Sequence, residues 1–255
     1  MIQRNERGIL ERYIKSLSTQ ARHQAKLFSL LDWIYRFGFT SPSVIELLWA
    51  VDRSVVNRLL RRYEREGVIA EVATFACRDK RVFLLKPQGV RMLETLHNQD
   101  LKYSQKKSTL LFKTLTHDLM VQAVVAQGVK QGKYVFFITE SEQEKENLGK
   151  KRRFDAIAFD GSEMVGLEIE ASSKTIPNRL DILKRYKYAI SDEERVSKIL
   201  IISHKRRFVL DAERIHNKIF IKPENNLNKA FFDKHVKYIY NQDLMLMLYH
   251  KFWMH

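Results

Sequence analysis

The chain has 255 residues, of which 45% are hydrophobic and only nine are Gly and four Pro, so we expect two globular domains and exclude compositional disorder. A single cysteine, Cys77, excludes a disulfide framework and a cysteine-based zinc site. Lys and Arg exceed Asp and Glu by 15, about evenly over both halves, which favours a polyanionic partner such as nucleic acid over a charge kept for solubility.

No apolar run approaches the roughly 18 residues that a bilayer span needs, and the N-terminus is polar and charged. The sequence therefore predicts a cytoplasmic protein with no membrane partner.

The first domain is predicted over residues 1–97. Apolar residues recur at helical spacing up to Gly38, and Ser41-Pro42 precedes a second apolar run as a helix cap would. Two strand-like runs follow a third helix and are joined by a basic tip. The predicted elements are helices over 20–37, 42–50, 53–65 and 87–96 and strands over 68–76 and 81–85.

The third helix separates two kinds of residue. Val56, Leu59, Leu60 and Tyr63 form an apolar stripe, and the opposite stripe is polar. Asn pairs with adenine edges, Arg with guanine edges, and Ser or Arg with phosphate, so the polar stripe is suited to a DNA groove; a solvated charged face is the alternative. The predicted DNA contacts of this domain are Ser54, Asn57, Arg58 and Arg61 on the helix and Arg78, Lys80 and Arg81 at the basic tip.

The order of these helices and strands is similar to that of a known class of domains. Residues 20–97 resemble the winged helix-turn-helix domains of bacterial regulators and of the plasmid replication-relaxation family. The resemblance implies binding to double-stranded DNA.

The second half begins after a polar linker, residues 98–108. Residues 109–255 are predicted to form an α/β domain with a mixed central sheet, which makes the whole chain an α+β protein of two domains. Its predicted elements are helices over 109–131 and 178–190, strands over 134–139, on both sides of 160–163, over 198–203 and over 218–222, and an acidic loop over 140–146.

A hairpin around Gly161 is the most informative part of this half. Alternation along 163–171 puts Glu168 and Glu170 on one face, and a two-residue turn at Gly161-Ser162 pairs Asp155 with Glu168. Like charges at that distance require a cation, and three carboxylates select Mg²⁺ or Mn²⁺. The alternative is a solvated acidic face or pairing with lysines, and a one-residue change of turn length would break the pairing.

These residues resemble the PD-(D/E)XK nuclease core, with Phe154 where that motif often has Pro and Glu170 where it usually has Lys. The resemblance implies that Asp155 and Glu168 hold the metal ion. Glu170 would be a further ligand or the base that orients water, and Lys174 is a candidate substitute for the missing lysine.

Over residues 20–205 the chain is similar to the replication-relaxation family and to MOBC-type conjugative relaxases. This implies a bacterial, plasmid-associated endonuclease that nicks one strand at an origin of transfer, with single-stranded DNA there and relaxosome or coupling proteins as further partners. The alternative is a non-catalytic DNA-binding protein, either a relaxosome accessory or a replication or transcription regulator. A homodimer stays open.

Several polar residues are weaker candidates. His117, mid-helix beside Asp118, is a candidate site residue or a structural histidine, and Arg179 and Lys184 are candidate phosphate contacts or a wet helix face. By number alone the glutamates of the acidic loop could form a metal cluster, but their placement in a loop favours solvation: Glu140, Glu142, Glu144 and Glu146. No His-x-His pair and no Gly-x-x-x-x-Gly-Lys loop occurs, which disfavours an HUH relaxase and a nucleotide hydrolase.

Overall fold

The computed structural model of the protein describes residue 16, residues 18–148 and residues 153–247. These residues form two compact units, one within Met1–Phe136 and Leu246–His255 and the other over Phe137–Met245. The fold is α+β, as the sequence predicted.

The first unit contains the helices and the hairpin that the sequence predicted for the N-terminal half. Ser18 caps the first helix by accepting a hydrogen bond from the Ala21 amide, and Gly38, at φ 84°, ends it. Ser41 caps the second helix in the same way, with Pro42 at its start. The elements are α1 (Thr19–Phe37), α2 (Pro42–Trp49), α3 (Arg53–Arg65), β1 (Ile69–Ala73), β2 (Arg81–Leu85) and α4 (Pro87–His97).

The two strands pair antiparallel, with Ile69 opposite Leu85 and Ala73 opposite Arg81. Thr40 forms an isolated β-bridge to β2, because its amide and carbonyl exchange hydrogen bonds with those of Phe83. The segment between α1 and α2 is thereby tied to the hairpin.

The first unit continues beyond the predicted boundary at 98–108. The Tyr103 hydroxyl donates to the Gly38 carbonyl and accepts from the Leu85 amide, so this segment is attached to the first unit. Helix α5 (Leu115–Lys130) also belongs to it: buried Gln122 accepts from the Trp33 indole and donates to the Phe39 carbonyl. The prediction had placed this helix in the second domain.

The second unit is built on a mixed five-stranded sheet in the order β3-β4-β5-β6-β7. The β4–β5 pair is antiparallel, whereas β5–β6 and β6–β7 are parallel. The elements are β3 (Phe136–Thr139), α6 (Glu140–Lys145), β4 (Ala156–Phe159), β5 (Met164–Ile169), α7 (Ile176–Ser191), β6 (Lys198–Ser203), α8 (Arg206–Phe220), α9 (Lys229–His235) and β7 (Val236–Tyr240).

Two predictions for this half were wrong. Residues 140–146 are not a loop: Thr139 and Glu142 form a capping box that starts α6. The strand predicted over 218–222 is instead the end of α8, and the last strand of the sheet is β7.

Helix α7 covers the sheet face that contains Ile157, Ile199 and Ile201. Leu183 and Tyr186 of α7 join that apolar cluster, as does Ile219 of α8. Among the residues that the structure describes, no helix combines the length and apolarity needed to cross a membrane.

Candidate functional site

The predicted separation of the two stripes on α3 is confirmed, except that Leu59 of the apolar stripe is only half-buried. Val56, Leu60 and Tyr63 are buried, whereas Arg58 and Arg61 are exposed. Ser54 is also exposed and Asn57 is half-buried. The helix therefore presents a polar, positively charged surface.

Two of the predicted DNA contacts bind each other. The Arg81 guanidinium donates to the Asn57 side-chain oxygen at 2.9 Å and pairs with Glu71 at 2.9 Å. These bonds tie β2 to the N-terminal half of α3. Arg81 therefore makes contacts inside the protein that hold α3 against β2.

The connection between β1 and β2, residues 74–80, is here called the 74–80 loop. Arg78 and Lys80 are exposed on it, as predicted, but the Asp79 side chain is only 3% exposed. The Asp79 carboxylate accepts from the Ser43 amide at 2.8 Å and the Ser43 hydroxyl at 2.9 Å, and it pairs with Arg53. It therefore caps α2 and joins the loop to the first residue of α3.

Helix α1 adds basic residues that the sequence analysis missed. Burial and the positive charges of Arg22 and Arg58 lower the pKa of Lys26. Because only nearby charges act this way, Arg22 and Lys26 extend the cationic surface of α3. Their spacing of four residues on one helix was the available signal.

The predicted register of the second unit's hairpin is confirmed. Phe159 pairs with Met164 and Ala156 with Leu167, so the same register places Asp155 opposite Glu168. Gly161 has φ 101°, as the first central residue of a type II′ turn requires. Asp160 stabilises the turn by accepting from the Ser162 and Glu163 amides.

Asp155 is held by backbone contacts. Its carboxylate accepts from the Ile169 amide at 2.6 Å. The preceding residue, Phe154, is fully buried, and the Gln143 side chain binds both its amide and its carbonyl. The Phe154 ring lies over Gly166, where a Cβ would stand 2.8 Å from it.

Glu170 has two cationic partners. One carboxylate oxygen is 2.7 Å from Lys174 Nζ and the other is 2.6 Å from an Arg179 nitrogen. Arg179, predicted as a phosphate contact or as part of a wet helix face, is buried in the structure. Lys174 was the candidate substitute for the missing lysine. It contacts the acidic strand, and its partner there is Glu170.

Two of the three predicted metal ligands are engaged by other groups of the protein. Both oxygens of Glu170 are neutralised by cations, and one oxygen of Asp155 is occupied by an amide. Within residues 18–148 and 153–247, no group of three or more His, Cys, Asp or Glu side chains is arranged to hold a metal ion.

The remaining predicted site residues lie apart from this cluster in the chain. His117 is on α5, in the first unit, and its Nδ1 is 3.3 Å from Asp118. Lys184 is exposed on α7. Glu142 is used in the capping box, and Glu144 pairs with Arg153 at 2.6 Å.

Two buried histidines of the second unit were not predicted. Burial and the charges of Arg179 and Lys174 lower the pKa of His216 to about 3. Burial, with Lys205, lowers the pKa of His204 to about 4. Both rings are neutral at pH 7, and His216 Nδ1 contacts the Tyr238 hydroxyl.

Comparison of the chain with protein-family models, curated proteins and solved structures gave no match.

Proposed function

We propose that this chain is a DNA-binding protein whose first unit places α3 in the major groove of a duplex. The observation that carries the proposal is the exposed cationic surface of α3, with Arg58 and Arg61 at its centre. Arg22 and Lys26 of α1 enlarge it, since burial, together with the positive charges of Arg22 and Arg58, lowers the pKa of Lys26. A polyanion would relieve that repulsion.

The order of elements supports the same proposal. Three helices, a strand pair joined by a basic loop and a further helix follow one another as in winged helix-turn-helix domains. In helix-turn-helix proteins the N-terminal residues of the second helix of the motif contact base edges. In this chain that helix is α3, whose N-terminal half is supported by Arg81 and Asp79.

Fluorescence anisotropy with a 30-base-pair duplex of mixed sequence tests the proposal. Arg58→Ala and Arg61→Ala should each weaken binding and reduce the slope of log affinity against log salt by about one unit per lost phosphate contact. The matched control is Arg207→Ala, which removes an arginine that is 87% exposed on α8 and should leave the slope unchanged. Unchanged binding by both α3 variants would contradict the proposal.

A second candidate function is the metal-dependent nicking of DNA at a plasmid origin of transfer. The observation that favours it is the hairpin register, which sets Asp155 opposite Glu168. The contacts of Glu170 do not support it, because both of its oxygens bind cations. We therefore rank it below binding alone, in which the chain would act as a relaxosome accessory or as a replication or transcription regulator.

Incubation of supercoiled plasmid carrying the origin with Mg²⁺ or Mn²⁺ separates the two candidates. Nicked circles formed by the wild type and by Asp181→Asn, but not by Asp155→Asn, would favour the nuclease. Asp181 is a suitable control because its carboxylate is exposed on α7 and pairs with Arg185. Plasmid that stays supercoiled while it is bound would leave DNA binding as the function.

A further inference from the structure

One aromatic side chain of the 74–80 loop faces solvent. Phe75 is 85% exposed, whereas Thr74 and Cys77, its neighbours on the same loop, are buried. Scattered apolar residues on a surface are normal, so exposure alone does not identify a site. The ordered backbone on both sides of Phe75 and the positive charges around its ring distinguish it from a scattered apolar residue.

The loop backbone is ordered on both sides of Phe75. The Thr74 amide donates to the Lys80 carbonyl at 2.9 Å, and the Ala76 amide donates to the Thr74 hydroxyl at 3.1 Å. The Thr116 hydroxyl of α5 donates to the Ala76 carbonyl. The fold therefore holds the ring outward in a defined place.

The charges around the ring are positive. Arg78 and Lys80 are exposed, and the carboxylate of Asp79 is turned inward and neutralised by Arg53. The outer surface of the loop thus combines an apolar aromatic face with two cations. Nucleic acid offers the complementary combination, since planar bases alternate with phosphates along each strand.

The loop is also attached to the helix that would enter the groove. Asp79 binds Arg53, the first residue of α3, and Arg81, at the end of the loop, binds Asn57 of the same helix. A duplex that accepted the N-terminal half of α3 would therefore lie beside this loop.

We propose that Phe75 is a nucleobase-contacting residue, whose ring stacks on a base next to the groove occupied by α3. The base face would become available either at a kinked step of the duplex or in an unpaired stretch. This inference rests on the proposed DNA binding and adds a residue and a mode of contact to it.

Anisotropy titrations of the full chain test the inference. Phe75→Ala should weaken binding to the mixed-sequence duplex roughly 5- to 150-fold, because stacking on an aromatic ring contributes that much per base. Phe75→Tyr should retain the affinity. Ile221→Ala is the matched control, because it removes an apolar side chain that is 78% exposed on the second unit. The thermal unfolding midpoint of Phe75→Ala should equal that of the wild type, since the ring is exposed.

A second duplex, with a single unpaired base at its centre, separates the two sources of the base. An equal loss on both duplexes assigns the contact to a paired step, and a larger loss on the bulged duplex assigns it to an unpaired base. Both results support stacking.

Tryptophan fluorescence gives an independent measurement. Phe75→Trp should show quenching of the added indole on DNA binding, relative to the wild type with its three tryptophans, whereas Ile221→Trp should not. The inference is overturned if Phe75→Ala binds both duplexes like the wild type while Arg58→Ala and Arg61→Ala are weakened; in that case the proposed function stands. If the wild type binds neither duplex, both proposals fail.

Discussion

At the scale of single residues, the contacts of Glu170 matter most for the second unit. The sequence placed this glutamate on the acidic face of β5 and offered either a metal ion or lysines as its counter-charge. The structure gives it Lys174 four residues later and Arg179 from α7. A buried carboxylate with two cationic partners acts as a structural group, which ties the end of the strand to the following helix.

Glu170→Gln should lower the free energy of unfolding by about 3 kcal/mol, because it leaves the Arg179 charge buried without its partner. Urea denaturation at pH 7 measures the loss. The double variant Glu170→Gln with Arg179→Met should recover part of it, since no buried charge then remains. Asp233→Asn, which breaks the exposed pair with Lys229, is the control and should change stability by less than about 1 kcal/mol.

His216 and His204 predict a pH dependence of stability. Their pKa values in the folded protein, about 3 and about 4, lie below the roughly 6.5 of an unfolded histidine. Between these values the unfolded chain binds more protons, so stability is full above pH 6.5 and falls as the pH decreases.

The free energy of unfolding, measured by urea denaturation from pH 7 to pH 5, should therefore fall by about 1.4 kcal/mol per pH unit for each additional proton bound by the unfolded chain. The double variant His216→Phe with Tyr238→Phe removes one titrating ring together with its hydroxyl partner. Its profile should be shallower than that of the wild type. An equal slope in both proteins would show that His216 does not contribute.

At the scale of elements, the link between α2, α3 and the 74–80 loop supports the first unit. Asp79→Ala removes a cap from α2 and the partner of Arg53, so we expect a loss of about 1–2 kcal/mol in urea denaturation. It should also weaken DNA binding, although it removes a negative charge. Glu66→Gln is the control for the change in charge. It removes a negative charge from the exposed pair with Arg62 at the end of α3, and it should leave binding equal or stronger. Tighter binding by Asp79→Ala would contradict a positioning role for this carboxylate.

The hairpin and α6 show what could be predicted from the sequence. Turn length fixes register, so Gly161 and Ser162 were enough to place Asp155 opposite Glu168. The helix over 140–145 was missed because its glutamates have no apolar period, although Thr139 and Glu142 carry the spacing of a capping box.

In the second half, the pairing of Glu170 depends on tertiary contacts that the sequence does not show. The helix α8, by contrast, was missed although its apolar residues recur at helical spacing. Arg179, which pairs with Glu170, lies on the next helix, and no local sequence pattern predicts such a pairing. In α8, by contrast, Val209, Ala212, His216 and Ile219 have helical spacing, so this element could have been found.

At the scale of the whole molecule, the net charge of +15 predicts that binding depends strongly on salt. If Arg58, Arg61, Arg78 and Lys80 each neutralise one phosphate, the slope of log affinity against log salt should be about −3 to −4. Anisotropy titrations at several salt concentrations measure this slope. A value near twice that size would indicate that two copies bind one duplex, and a slope near zero would contradict a phosphate-binding surface.

The anchoring of the 74–80 loop has a kinetic consequence. Its backbone is bonded to α5, and its Asp79 side chain is bonded to α2 and α3, in the protein without DNA, so its shape is set during folding. Binding then loses little conformational entropy, and the two partners can dock as preorganised bodies. We therefore expect association to follow electrostatic attraction, and variants of this loop to change mainly the lifetime of the complex.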